Sequence, residues 1–544
     1  MGATLAGALQ LLVLLLLLAA AWAPTGDAMA HVFTTTRHWR VERAIYRAVR
    51  VDPDSEQRWS TYAVSVLAFS FVGVVVLYAI QRLQAAAGLD LGRGAVAPAV
   101  AFNTAVSFVT NTNWQSYVPE STMGHAVAMA GLTVQNFVSA AVGMAVAVAV
   151  TRGFVRARSD RLGNAWVDIT RGCVRLLLPL AAVAAVVLVA LGVVMSLRAG
   201  VDVTGPDGRS STVALAPVAS QEAIKELGTN GGGILNANSA HPFENPTGGT
   251  DLLQIFLMLL IPVSFTRTFG RMVGSMRDGA ALLAVMAALW GAVLAVVWTA
   301  EAHAGSFEGK EVRFGIPSSA LFATATTGTS TGAVNASHDS LSPFGGGAVL
   351  LHMLFGEVSP GGVGTGLYSI LVVAVVAVFL AGLMVGRTPE YLGKSLGRRE
   401  ITCAVVVVLV MPALVLLGTA VAVVLPGTAD ALTNSGPHGL SEVLYAYASA
   451  ANNNGSAFGG LTVTDGWFQT SLGVAMLLGR FLPIVAVLAL AGLLARQPRR
   501  EAGAGTVATG TPLFSVLVTG TVVLVAAITF FPALALSPLA EGLS

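Results

Sequence analysis

Apolar residues in this chain run in long blocks rather than alternating with polar ones. Stretches near 5–23, 61–83, 125–150, 173–197, 252–271, 280–300, 401–425, 469–495 and 511–536 are each predominantly apolar. A helix of roughly 20 such residues crosses a bilayer. A tenth block, 345–386, is too long for one crossing. As one helix it would extend roughly 63 Å at about 1.5 Å per residue. Its middle carries Gly361, Gly362, Gly364 and Gly366. The pattern predicts an all-α membrane protein of about ten transmembrane helices, one of them broken. Residues 1–30 end in Ala28, Met29 and Ala30, which imitates a signal-peptidase site. No Lys or Arg precedes that apolar run, so a retained helix is expected.

Four connections break the rhythm. Each holds a short apolar or amphipathic stretch, too short to span, followed by a run of Thr, Asn, Ser and Gly. The stretches are 103–110, 220–228, 317–325 and 440–448, with Ser220, Ser318 and Ser441 as candidate helix starts. The runs that follow begin near Asn111, Thr229, Thr326 and Ala451. A span precedes and follows each one. The chain therefore reads as four tandem helix–pore–helix units, at 61–150, 173–271, 280–386 and 401–495. Residues 1–60 form a first helix with a basic segment, and 511–536 form a last helix.

Composition agrees: 55% of residues are apolar and 11% charged, against about 25% charged in soluble domains. Mean hydropathy is +0.75. A net charge of +2 gives no basis for a nucleic-acid partner, and two cysteines make no disulfide framework. Of the 30 Lys and Arg residues, most fall in the connections 24–60, 151–172, 267–279, 387–400 and 496–510. Basic connections face the cytoplasm, which puts both termini and all four polar runs outside. The segment 31–58, with its six Arg, is expected to lie along the anionic inner leaflet.

The polar runs suit a specific chemistry. A cation entering a membrane must exchange water for other oxygens, and rings of backbone carbonyls from four loops provide them. Non-helical backbone at membrane depth is tolerated only where it is buried in protein or lines a water-filled cavity. None of the four runs contains Asp or Glu, which favours a weakly hydrated monovalent ion over calcium or magnesium. One such loop alone would read as a plain turn; four in register read as an ion pathway.

Long segments carry a family resemblance: Asn103–Tyr117, Gly131–Phe137, Gly163–Asp168, Ala219–Lys225, Thr229–Asn236, His241–Asn245, Gly386–Lys394, Ser441–Tyr445 and Ala450–Phe458. They resemble the potassium-binding subunit family of the Kdp potassium-transporting P-type ATPase. The resemblance implies a fold of four pseudo-repeats, as in potassium channels and the Trk/Ktr/HKT transporters. It implies a complex with a catalytic P-type ATPase subunit and two small subunits in a bacterial cell membrane. It also implies that external K+ is selected here and passed sideways through an intramembrane tunnel. The carried-over filter is Asn111, Thr112 and Asn113; Thr229, Asn230, Gly231 and Gly232; Ser330, Thr331 and Gly332; Asn453, Asn454 and Gly455. Gln115 would brace it. The third unit departs from the family pattern, which often carries Cys where Thr331 stands; a backbone ligand would be little affected.

Gly362 and Gly364 would form an unwound gate below the filter, and Arg480, buried in a span, would line the tunnel. Weaker candidates are set aside. Gly393, Lys394 and Ser395 imitate a phosphate loop, but Thr388 stands where its first Gly belongs. No Asp-Lys-Thr-Gly-Thr sequence occurs, so neither nucleotide binding nor ATP hydrolysis is expected on this chain. Arg387, Glu390 and Lys394 suit a structural or subunit contact. The eight His residues lack ligand spacing, which argues against a metal centre. The competing readings are a self-sufficient Trk/Ktr-like channel or transporter and a membrane-embedded enzyme, for which no catalytic constellation is visible.

Overall fold

A computed structural model describes residues 3–384, 386, 389–500 and 507–544; Arg387 lies outside them. Ten helices among these are long and apolar enough to cross a membrane. The first, α1 (Ala3–Thr34), continues straight through Ala28–Ala30 and is pinned by Asp27 to Arg267 and Arg271, at 2.9 and 2.7 Å. A short helix, α2 (Arg40–Ala48), follows. It buries Glu42 and Tyr46 against the protein, and Glu42 pairs with Arg175, so this part of the basic segment is docked rather than free.

The remaining order repeats four times. In the first repeat, the long helix α3 (Trp59–Leu83) is followed by the short α4 (Pro98–Val109) and the long α5 (Val127–Val155). Next come α6 (Ala165–Ala190), short α7 (Val218–Leu227) and α8 (Gly248–Val273). The third repeat has α9 (Met276–Ala304), short α10 (Gly315–Gly328) and a long helix in two pieces, α11 (Pro343–Leu354) and α12 (Thr365–Met384). The fourth has α13 (Arg398–Val424), short α14 (Gly436–Ala451) and α15 (Gly466–Arg496). Helix α16 (Pro512–Leu536) and the short α17 (Pro538–Leu543) end the chain.

Position in the fold follows composition. Helix α5, rich in Ala, Gly and Val, is 83% buried over its most apolar window, because small side chains let neighbours approach closely. Helix α13 is only 17% buried and keeps an apolar outer face. Where α5 meets the broken helix, a Cβ on Gly364 would lie 2.1 Å from the Gly143 carbonyl oxygen; Gly364 has φ +85°, so glycine is required twice over.

Three of the four short helices begin earlier than their serines suggested. Ser220, Ser318 and Ser441 lie inside α7, α10 and α14. Proline marks the true starts: Pro98 and Pro437 in the first turns, Pro317 just inside, Pro217 at the cap. Proline is at home there because the first helical N–H groups have no partner to lose. Lys394 and Glu390 are structural, as expected: Lys394 Nζ donates to the Gln497 carbonyl at 3.1 Å, and Glu390 pairs with Arg500 at 3.0 Å.

Candidate functional site

All four short helices point their C-termini, the negative ends of their dipoles, toward one place. Each then turns into its polar run by the same device. The backbone N–H of Thr112 donates to the Ser107 carbonyl five residues back at 2.9 Å. Asn230 does so to Lys225 (2.9 Å), Thr331 to Thr326 (3.1 Å) and Asn454 to Ser449 (2.9 Å). The residues before these four have positive φ: Asn111 (66°), Thr229 (47°), Ser330 (52°) and Asn453 (53°). So do the residues after them: Asn113 (58°), Gly231 (72°), Gly332 (87°) and Gly455 (97°). Eight left-handed residues at matching positions, five of them not glycine, cost free energy that only a specific arrangement repays. Flanking each central residue with left-handed neighbours turns successive peptide planes, a geometry suited to presenting carbonyls.

The loops meet in a closed circuit. An added Cβ on Gly231 would lie 2.1 Å from the Thr331 carbonyl oxygen. One on Gly332 would lie 2.4 Å from the Asn454 oxygen, and one on Gly455 would lie 1.8 Å from the Thr112 oxygen. Each third position thus abuts the central carbonyl of the next loop, from second to third to fourth to first. Gly232 faces the Asn113 carbonyl, 3.0 Å from its would-be Cβ, which completes the ring. Side chains lock the seams. Asn111 Nδ2 donates to the Thr229 carbonyl at 2.7 Å, Asn453 Nδ2 to Thr112 Oγ1 at 2.9 Å, and Asn454 Nδ2 to the Thr326 carbonyl at 3.0 Å. Gln115 grips the second loop from both sides: its Nε2 donates to the Gly233 carbonyl at 3.0 Å and its Oε1 accepts from the Gly233 N–H at 2.9 Å. The filter-position residues of all four loops are buried, and Gln115 is half-buried.

Several contributors were missed in the sequence. Five residues before each central residue stand Ser107, Lys225, Thr326 and Ser449. Thr326 Oγ1 accepts from the Gly332 N–H at 2.9 Å, Ser449 Oγ from the Gly455 N–H at 3.1 Å, and Ser107 Oγ donates to the Trp114 carbonyl at 2.8 Å. In the second unit Lys225 replaces the hydroxyl. Its buried ammonium meets Glu222 at 2.7 Å, Glu244 at 3.1 Å and Glu226 at 3.6 Å, and donates to Asn238 Oδ1 at 3.1 Å. Asn238 in turn donates to the Gly232 carbonyl. Aligning the four runs would have revealed the hydroxyl position; the charged cluster needs Glu244, far along the chain, and shows only in three dimensions.

The break in the third unit's long helix packs against the feet of the second and third loops. The Gly361 N–H donates to the Gly328 carbonyl at 2.7 Å, and the Val363 N–H to Thr229 Oγ1 at 2.9 Å. A Cβ on Gly362 would lie 3.2 Å from both Thr229 Oγ1 and the Thr329 carbonyl oxygen. His352 joins Thr327 and Ser359 at 3.1 Å each, tying the end of α10 to the break. Beside the break lies a cavity of about 110 Å³, lined by Glu357, Asn453 and Arg480 together with α12, α13, α15 and α16. Arg480 is buried, and among the described residues it forms no ion pair within 4.0 Å, so it does not close directly on Glu357.

The arrangement defines a membrane protein with four pore loops around one axis, each carried by a short re-entrant helix. Residues 11–543 match the family model described as Potassium-transporting ATPase A subunit, and the chain belongs to that family. It is 62% identical to the "Potassium-transporting ATPase potassium-binding subunit" of Rhodococcus opacus (strain B4), over 99% of both chains. It is likewise 62% identical to the protein so named from Nocardia farcinica (strain IFM 10152), over 100% of both chains. The protein of that name from Streptomyces coelicolor is 57% identical, also over 100% of both. Among solved structures, the potassium transporter TrkH from Vibrio parahaemolyticus shares the fold, with a TM-score of 0.54 at 14% identity, covering 87% of this chain and 96% of that one.

Proposed function

We propose that this chain is the potassium-selecting, non-catalytic subunit of an ATP-driven importer in the bacterial cell membrane. The loop face with both termini is outside, and the basic connections face the cytoplasm. K+ sheds its water onto carbonyls of Asn111–Asn113, Thr229–Gly232, Ser330–Gly332 and Asn453–Gly455. The matching left-handed residues and the closed circuit of carbonyl contacts are the observation that carries this reading. Carbonyl dipoles, rather than carboxylates, suit a weakly hydrated monovalent ion.

Descent along the axis is obstructed by Gly361–Gly364, whose backbone is hydrogen-bonded to the feet of the loops. The ion turns into the cavity beside Glu357 and Arg480, and from there toward a P-type ATPase subunit that hydrolyses ATP. Arg480 limits how long a cation rests there, since like charge lowers its affinity. Two small subunits complete the complex. The test is potassium uptake in cells stripped of other importers. Uptake is expected only when the ATPase partners are co-expressed. Uptake by the chain alone would instead make it a Trk-like transporter and end the lateral route.

A further inference from the structure

On the loop face, at the seam between the third and fourth units, a group of side chains lies outside the ion circuit. His438 and Glu442 sit one turn apart on α14 and share a helix face. Asp339 arrives from the chain after the third loop, held by its N–H donating to the Phe458 carbonyl at 2.9 Å. Ligand atoms of Asp339, His438 and Glu442 all lie within 4.8 Å of one another. We propose that these three residues form a binding site for one divalent transition-metal cation of the zinc class, with Glu541 orienting the imidazole.

Four observations carry this. First, the donor set is one imidazole nitrogen and two carboxylates, the set typical of zinc with an open fourth position. A tetrahedral ion about 2.1 Å from each ligand keeps ligands roughly 3.4 Å apart. The His438 Nε2 to Asp339 Oδ1 separation of 2.9 Å and the 4.8 Å upper bound bracket that spacing.

Second, the imidazole is held as a metal ligand is held. His438 Nδ1 lies 2.9 Å from Glu541 Oε1. An Nδ1–H donated there leaves the Nε2 lone pair aimed at Asp339. A protonated ring donates to both carboxylates at once, and that imidazolium clasp is the arrangement a cation between Nε2 and Asp339 would replace. A carboxylate behind a ligating histidine is the usual outer partner of such sites.

Third, charge is unbalanced. Among the described residues none of Asp339, Glu442 and Glu541 pairs with Lys or Arg: Asp339 and Glu541 share the one imidazole, and Glu442 is held by hydrogen bonds donated by the Thr433 N–H and by the N–H and Nδ2 of Asn434. Fourth, space is kept between the ligands. A Cβ on Gly460 would lie 2.4 Å from Glu442 Oε1 and 2.9 Å from Asp339 Oδ1. Any other residue there would wedge itself into the point where the two carboxylates converge. The ligands come from separated stretches of chain, which is why His spacing alone gave no sign of the site.

The test is calorimetric titration of zinc chloride into the purified full-length chain, compared with His438→Gln, Glu442→Gln and Glu541→Gln. One saturable site is expected in the unaltered protein. It should weaken at least 10-fold in H438Q and E442Q, and about 10- to 100-fold in E541Q. Thermal unfolding in zinc-free buffer checks that each variant is folded; if H438Q is not, E442Q carries the comparison. No saturable binding, or equal affinity in the folded variants, overturns the proposal and leaves a hydrogen-bonded clasp between α14 and α17.

Discussion

Replacing Gly455 by Ala places a methyl group 1.8 Å from the Thr112 carbonyl oxygen, in a residue whose φ is +97°. Ordinary contact begins at 3.4 Å, so oxygen and methyl must part by about 1.6 Å. Rotating the Thr112 peptide is the direct way to open that gap, and it turns the carbonyl away from the axis. A hydrogen bond to a charged group is worth about 1.5–3 kcal/mol, and we take one lost carbonyl–ion contact to be similar. That corresponds to roughly 10- to 100-fold weaker potassium binding at about 1.4 kcal/mol per decade. Backbone strain is separated from this effect by Gly436→Ala. Gly436 has φ +67°, yet nothing lies within 4 Å of its would-be Cβ. That variant should lose about 1 kcal/mol of stability and keep its affinity. Potassium-dependent uptake by the assembled complex, read as the half-saturating concentration for both variants, is the assay. A G455A protein with unchanged affinity and unchanged preference for potassium over sodium would refute the carbonyl reading of the loops.

Gly232→Asp should erode potassium preference more than stability, because it sets a carboxylate beside the Asn113 carbonyl in a left-handed position; competition of potassium with sodium reads this. Lys225→Met should destabilise the protein by about 3–5 kcal/mol, since it leaves Glu222, Glu226 and Glu244 buried without their cation. Thermal unfolding of the purified chain measures it, and a change below about 1 kcal/mol would mean that the three carboxylates do not depend on Lys225.

The spans were legible because an apolar block about 20 residues long has few alternatives to crossing a bilayer. The loops were legible by repetition: Asn111, Thr229, Ser330 and Asn453 each follow a short helix and precede a small residue or Asn at the matching position. Helix starts were misjudged by up to five residues, because Ser220, Ser318 and Ser441 look like caps while the prolines before them do the starting. The interior charges were not legible at all. Glu222, Lys225 and Glu226 on a short helix carry no local sign of burial, and only Glu244, Asn238 and Ser239 folding over them make it tolerable. The circuit of loop contacts was equally hidden, since no local pattern says which glycine touches which carbonyl.

The two backbone hydrogen bonds from the broken helix to the feet of the loops have a thermodynamic corollary. Gly361 and Val363 hold Gly328 and Thr229 directly, so the second and third loops and the break beside them move together. If occupancy of the ring shifts Thr229 or Gly328, the break must follow. By reciprocity, anything that bends the break changes affinity above it by the same free energy. On the proposed function, a partner docking against α12 would tune ion capture without touching any of the loop carbonyls.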